Sequence, residues 1–148
     1  MYVNVVNAQI KPAVDAVLNY RMIGFSVPVQ KAANTYVFEI SNNPSAEAEV
    51  FERSIIIKAE SGKNMAIITV PRFDTKYGWR VTYKDKTGKV LNKSKIYFFA
   101  TGTCDYLNPE RYRLDVYNRS EEHKDLLVIL DHSSIMYNMA GEPVWFLP

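Results

Sequence analysis

The chain has 148 residues, a net charge of +2, 47% hydrophobic residues and 23% charged residues. A domain of this size buries about two-thirds of its unfolded surface, so it needs neither a metal nor a disulfide to fold. Lysines and acidic residues are interspersed without a basic stripe, which argues against a nucleic-acid partner. No apolar run approaches the ~20 residues of a membrane-spanning helix, so no membrane span is expected.

Cysteine usage and the N-terminus give little information about the compartment. Cys104 is the only cysteine, so an intrachain disulfide is impossible and no CxxC pair exists. One cysteine is compatible with the cytosol and equally with a bacterial periplasm. The start, MYVNVVNAQIKP, lacks a basic segment followed by an apolar one, and we expect no signal peptide in this chain.

Period-two alternation of apolar and polar residues dominates the first half of the chain. The first predicted strand, AVLNYRMIGFSVPV, changes phase near Gly24, which indicates a bulge or bend there. NTYVFEIS is a second strand, and the turn NNPS ends it. SAEAEVFER fits either one helical turn capped by Ser45 or an edge strand, and the strand is slightly favoured.

The next segments are also predicted to be strands. FERSIIIKAE contains three consecutive isoleucines, typical of a strand with both faces partly covered. MAIITV is another strand. YGWRVTYKD is the clearest, with one buried face and one face in water. A turn at Asp85 and Gly88 joins it to the partner strand SKIYFFAT in a hairpin. The buried face of YGWRVTYKD is expected to carry Tyr77, Trp79, Val81 and Tyr83.

These short strands, about one every ten residues, predict an all-β fold: an antiparallel sandwich of immunoglobulin or fibronectin type III kind. Residues 73–101 resemble the second half of a fibronectin type III domain, and the resemblance extends over about residues 14–101. We therefore expect a fibronectin type III-like β-sandwich over residues 1–102. The residues that carry the resemblance are Phe73, Tyr77, Trp79, Val81, Phe98 or Phe99, and Thr101.

Residues 103–148 are predicted to form a loop followed by a C-terminal β-hairpin extension. Residues 126–130, LLVIL, read as a fully apolar strand, residues 131–133 as a turn and residues 135–137 as the start of a further strand. A second turn, Ala140-Gly141-Glu142, precedes Val144 and Trp145. This order resembles the region where bacterial arylsulfotransferases pass from a small N-terminal immunoglobulin-like domain into a β-propeller.

The resemblance implies a non-catalytic accessory or interaction domain at the N-terminus of a larger extracytoplasmic protein, in the periplasm or at the cell surface. The family's catalytic histidine, with its arginine and asparagine neighbours, lies in the propeller and has no counterpart here. The parent protein is thus expected to be sulfotransferase-like, whereas this chain is expected to have no enzymatic activity.

The apolar C-terminal run is the predicted interface. An apolar terminus is a poor end for a domain unless another element covers it. It either folds back on the sandwich or pairs with a strand of an adjoining domain or another copy. The alternative is that it forms the last strand of a self-contained domain. The interface candidates are Val144, Trp145, Phe146 and Leu147.

No catalytic or metal constellation is predicted. Asp131, His132 and Ser133 are adjacent in sequence, so they cannot assemble a triad by themselves, and a local turn explains them better. Two histidines and one cysteine without regular spacing do not make a zinc site. Glutamates 47, 49 and 52 lack the Asp-rich loop of a calcium site. We expect no metal and no cofactor.

Tyrosine is in surplus, with ten residues. A carbohydrate-binding or adhesion module would use two or three exposed rings to stack on sugars, so glycan binding is the alternative function. Cores and interfaces of β-sandwiches also use aromatic residues, which is the competing explanation. The candidates for sugar stacking lie in the turn-rich second half: Tyr106, Tyr112, Tyr117 and Tyr137.

Overall fold

The computed structural model describes residues 9–103, 112, 114–118, 120–130 and 134–147. This part of the chain is mainly β-strand, arranged in largely antiparallel sheets, which confirms the all-β prediction. The elements are β1 (Ala16–Leu18), β2 (Met22–Ser26), β3 (Thr35–Ser41), α1 (Ala48–Arg53), β4 (Ile55–Ser61), β5 (Met65–Thr69), β6 (Thr75–Lys84), β7 (Val90–Lys93), β8 (Tyr97–Thr101), a 3-10 turn (Glu121–His123), β9 (Leu127–Ile129), β10 (Ile135–Asn138) and β11 (Pro143–Phe146).

Two sheets form a β-sandwich. The larger has the strand order β1-β8-β6-β3-β4, with β7 also beside β6, and the smaller consists of β2 and β5. All pairs are antiparallel except β1 and β8, which run parallel. The predicted turn, with Gly88 at φ 84°, joins β6 to β7, which the sequence pattern does not resolve as a separate strand. The predicted partner strand, β8, pairs antiparallel with the first half of β6.

The core lies between the two sheets and is rich in aromatic residues. Phe25 of β2 meets Trp79 of β6 edge-on, with ring centroids 5.0 Å apart, and Phe99 of β8 at 5.8 Å. Such pairs add stabilisation beyond the apolar area that they bury. The predicted buried face of β6 is confirmed, since Tyr77, Trp79, Val81 and Tyr83 are all buried.

A tyrosine fixes the corner between β5 and β6. The Tyr77 hydroxyl donates to the Arg72 carbonyl and accepts from the Arg72 amide, both at 3.1 Å. Burial raises the pKa of Tyr77, although its hydrogen bond to Arg72 opposes the shift. These two hydrogen bonds tie the start of β6 to the segment that precedes it.

The ambiguous segment after β3 is helical, which corrects the preference for a strand. Helix α1 buries Phe51 completely and covers the outer side of the large sheet. For this reason the second face of β6, expected in water, is also largely buried: Arg80 is 4% exposed and Thr82 is 6% exposed. The Arg80 guanidinium lies over the Phe51 ring, 4.8 Å from its centroid.

The charges under α1 form a fully paired network. Arg80 donates from Nε to Glu39 Oε2 at 2.8 Å and from Nη2 to Glu52 Oε1 at 2.9 Å. Burial raises the pKa of Glu39, but hydrogen bonds from Arg80 and Thr82 more than offset this and leave it lowered. Hydrogen bonds from Lys93 and Arg80 lower the pKa of Glu52 to about 2. The network is therefore a structural ion cluster.

The long first strand is interrupted at residues 19–21, not at Gly24. Gly24 lies in regular pairing with Ile67, whereas the chain changes partner after β1. Residues 19–21 pair with the end of the chain, through an antiparallel bridge between Tyr20 and Trp145. The phase change is thus caused by a switch of partner strand.

Candidate interaction surface

The C-terminal strands form a small sheet with the order β11-β10-β9. Its inner side is a second core of Ile135, Tyr137 and Phe146, against which Phe73 packs. The Phe73 and Phe146 rings meet edge-on, 5.2 Å apart. The tail therefore folds back on the sandwich, one of the arrangements expected for it.

Residues 19–21 hold the tail strand β11 in place. The Arg21 amide donates to the Val144 carbonyl at 2.8 Å, and the Phe146 amide donates to the Asn19 carbonyl at 3.1 Å. The Asn19 side chain adds a hydrogen bond from Nδ2 to the Phe146 carbonyl at 2.7 Å. Residues 19–21 thus extend the C-terminal sheet by one short bridged segment beside β11.

Arg21 fastens this junction with its side chain. It donates from Nε to the Pro143 carbonyl at 2.8 Å and from Nη1 to the Pro71 carbonyl at 2.6 Å. Its guanidinium lies 5.5 Å from the Phe73 ring centroid, and Nη2 is 3.8 Å from the Glu142 carboxylate. Burial lowers the pKa of Arg21, and Glu142 partly opposes the shift.

The four predicted interface residues have different exposures. Val144 and Phe146 are each 2% exposed, so contacts within the chain already cover them. Trp145 is partly exposed and Leu147 is 53% exposed. Only the last two present surface to a partner, because alternate residues of a strand point to opposite faces.

The register of the strands aligns four side chains on the outer face of this sheet. Tyr20 lies opposite Trp145, Trp145 opposite Met136, and Met136 opposite Ile129. Directly opposed residues project to the same face. We call these four residues the apolar row. Ile129 is 60% exposed and Trp145 and Met136 are partly exposed, whereas Tyr20 is partly buried and packs against the sandwich core.

Strand β9 is the outer edge of the sheet and the most exposed apolar strand of the described chain. Leu127 and Val128 are 39% and 37% exposed, and Ile129 exceeds both. Among the described strands, only β10 pairs with β9. Its side chains are thus exposed, and no other strand of the described residues lies along its outer edge.

Two other edge strands, β4 and β7, carry charges, whereas the edge strands β1, β2 and β5 contain none. Edge strand β4 has Lys58 and Glu60 exposed, and β7 ends on Lys93. Charged side chains on an edge discourage pairing with another chain. Residues 126–130 contain no charge, so β9 lacks this protection.

The tyrosine candidates do not form a sugar-binding platform among the described residues. Tyr137 is 2% exposed, which corrects the expectation that it offers a ring for stacking. Tyr112 is partly buried and packs against the second core. Tyr117 is 96% exposed but stands alone among the candidates that are described, and Tyr106 lies outside the described residues.

The described residues hold no group of three or more metal-ligating side chains. No helix among them is long and apolar enough to cross a membrane. Cys104 and the Asp131-His132-Ser133 tripeptide lie outside the described part of the chain. An open cleft of about 380 Å³ is lined by Arg21, Ile56, Ile57, Thr69, Val70, Pro71 and Glu142.

Comparisons with protein-family models, with curated proteins and with solved structures find no match for this chain. The role of the apolar row is therefore inferred from its own chemistry. Sequence reasoning found Trp145 but missed Tyr20, Met136 and Ile129, because the row joins residues that are up to 125 positions apart. The uncharged LLVIL segment was the available signal for β9.

Proposed function

We propose that this chain is a non-catalytic β-sandwich module that binds a partner protein through the outer face of its C-terminal sheet. The observation that carries the proposal is the apolar row, which crosses the three strands of the C-terminal sheet and the bridged segment at Tyr20. At ~4.8 Å between strands, the row is about 14 Å long. Trp145 lies inside it, between Tyr20 and Met136.

The composition of the row suits a protein interface. Tyrosine, tryptophan and methionine are enriched in interfaces, and tryptophan and tyrosine are enriched among the few residues that carry most of the binding energy. Backbone pairing holds Trp145 on both sides, with Tyr20 and Met136, so little backbone freedom remains to be lost there on binding. Leu127 and Leu147 lie beside the row and extend its apolar area.

The context of the module is the finer part of the proposal. We infer that it is the N-terminal accessory domain of a larger extracytoplasmic protein of arylsulfotransferase type, in the periplasm or at the cell surface. Support comes from the resemblance at Gly141, Glu142, Val144 and Trp145. The strand order supports an immunoglobulin-like or fibronectin type III-like sandwich before it. The hydrogen bonds between the Tyr77 hydroxyl and the Arg72 backbone also support it, because they resemble the tyrosine corner of such sandwiches. The adjoining domain is then the natural partner of the row.

A peptide selection tests the interaction surface. Phage-displayed random 16-residue peptides are selected on the immobilised chain at nanomolar concentration, and their affinities are measured for three variants. Ile129→Lys and Trp145→Ala disrupt the row, whereas Ile67→Lys makes the same chemical change at a residue that is 77% exposed on β5. Circular dichroism and thermal unfolding confirm that each variant folds.

We expect the selected peptides to bind Ile129→Lys and Trp145→Ala at least tenfold more weakly than the parent chain, and to bind Ile67→Lys as the parent does. Peptides that bind all the variants equally would show that the row is not the binding surface. A selection that enriches no peptide would also contradict the proposal.

A further inference from the structure

We propose that two copies of this chain associate by pairing β9 with β9 of the second copy, antiparallel, around a two-fold axis that passes through Val128 perpendicular to the C-terminal sheet. This inference goes beyond the proposed function, because the contact is made by the edge of the sheet and not by its outer face. The product is one continuous sheet with the order β11-β10-β9-β9-β10-β11.

The first argument is the state of the edge. Strand β9 already uses one side to pair with β10, and none of the other described strands pairs with its second side. An exposed, uncharged, apolar edge strand is a template for another strand. The charged edge strand β4 shows that this chain protects an edge elsewhere, with Lys58 and Glu60.

The second argument is self-complementarity. Around a two-fold axis at Val128, Leu127 lies opposite Ile129 of the second copy, and Val128 lies opposite its own counterpart. Every pair within the strand is then apolar against apolar, and no charge within β9 selects a different partner. Isologous contacts require a patch that is complementary to itself.

The third argument is continuity of the apolar row. Leu127 and Ile129 are on the same face of β9, opposite Asn138 and Met136. In the dimer, Ile129 therefore has Leu127 of the second copy beside it on this face. The row of each copy is extended across the axis, which covers apolar area that a single copy leaves in water.

Net charge and buried area determine the affinity of the proposed dimer. The net charge of +2 gives little long-range repulsion between copies, and proteins near neutrality associate more readily. The edge of β9 has three residues, so pairing through it buries much less than the ~800 Å² per partner of a standard interface. We therefore expect a reversible dimer that forms in the micromolar range.

Sedimentation velocity from about 1 to 500 µM is the first test. We expect the mass of the parent chain to rise from monomer to dimer over this range. Ile129→Lys places two charges beside the axis and should stay monomeric up to 500 µM. Ile67→Lys is the matched control and should dimerise as the parent does.

Cysteine cross-linking tests the register and does not depend on Ile129→Lys folding. Both variants are made in a Cys104→Ser background. Val128→Cys brings the two thiols together across the axis. Leu126→Cys places the two thiols four residues out of register, about 13 Å apart along the strands. Opposed Cα atoms in an antiparallel pair are ~4.5–5.5 Å apart, which a disulfide spans. We expect rapid covalent dimerisation at 128 and at least tenfold slower dimerisation at 126.

Three outcomes overturn the inference: a parent chain that is monomeric at 500 µM, a dimer that Ile129→Lys leaves intact, or equal cross-linking at positions 126 and 128. These outcomes are separate from the proposed function, since the peptide selection runs at nanomolar concentration, where the chain is monomeric. A monomer that binds peptides through the row leaves the proposed function standing.

Discussion

Phe146→Ala measures how firmly the C-terminal strand is packed on the sandwich. The side chain is 2% exposed and lies in the second core with Ile135 and Tyr137. It also meets the Phe73 ring edge-on at 5.2 Å. Truncating a buried phenylalanine to alanine removes its transfer free energy and leaves a cavity, at a cost of about 3–5 kcal/mol. This is a large part of the ~5–15 kcal/mol stability of a typical domain.

Urea denaturation followed by circular dichroism is the assay. With an m-value of about 2 kcal/mol/M, a loss of about 4 kcal/mol lowers the midpoint by about 2 M. Leu147→Ala is the matched control, because Leu147 is the next residue and is 53% exposed. We expect Leu147→Ala to change the free energy of unfolding by less than about 0.5 kcal/mol.

A loss below about 1 kcal/mol for Phe146→Ala would refute the packing described for the tail. One other result has a distinct meaning. If the C-terminal sheet opens without global unfolding, the amide protons of Arg21 and Phe146 lose protection from hydrogen exchange while those of β3 and β6 keep it. The tail would then be packed, but as a separate cooperative unit.

Three further predictions concern particular residues. Arg21→Lys should destabilise the chain by about 2–4 kcal/mol in urea titrations, because one ammonium cannot satisfy both the Pro71 and the Pro143 carbonyls that the guanidinium binds. An unchanged unfolding midpoint would contradict this role of Arg21. The lowered pKa values of Glu39 and Glu52 stabilise the fold above the unfolded-state pKa of about 4.5, and this contribution is lost as the pH falls towards 2. The melting temperature of Glu52→Gln should therefore fall less steeply than that of the parent between pH 4.5 and 2, and parallel curves would count against the network. Gly141→Ala should lower the stability of the fold more than Gly88→Ala, although both glycines have positive φ. A Cβ at residue 141 collides with the Leu114 carbonyl, while one at residue 88 meets nothing within 4 Å. Equal losses of stability, about 1 kcal/mol each in thermal melts, would mean that only the backbone conformation matters.

The strands of the sandwich could be predicted because their alternation is local. In β6, four apolar side chains at spacing two specify one buried face, and the structure buries all four. The other face was expected in water because Arg80, Thr82 and Lys84 are polar. Local pattern cannot show that α1 packs over that face, since Phe51 lies 29 residues before Arg80 and contacts its guanidinium.

Helix α1 shows where propensity is too weak to decide. Its six residues, AEVFER, include good helix formers, but isolated helices shorter than ~12 residues are marginal in water. Tertiary contacts stabilise it: Phe51 is fully buried, and Glu52 pairs with Arg80 and Lys93. Arg80 and Lys93 are both far from α1 in the sequence. The local pattern alone therefore could not distinguish one turn of helix from an edge strand.

The candidate site could be predicted only in part, for the same reason. The apolar tail and the LLVIL strand were both visible in the sequence as segments that need cover. Residues 19–21 pair with only one of these two segments, and that segment is the one that becomes covered. Both segments are apolar, so hydropathy does not show which of them is chosen. Trp145 lies beside Tyr20 and Met136 only because of how the strands pair, and this long-range register is not encoded in a local pattern.

Arg21 explains why the tail, and not β9, occupies that position. A buried guanidinium is costly unless acceptors surround it. Strand β11 supplies the Pro143 carbonyl and brings Glu142 within 3.8 Å, while the chain after β5 supplies the Pro71 carbonyl. Burial of Arg21 and docking of the tail therefore require each other. Because β10 lies between β11 and β9 in the same sheet, fastening β11 to the sandwich leaves β9 at the outer edge of the C-terminal sheet, with its apolar side chains exposed.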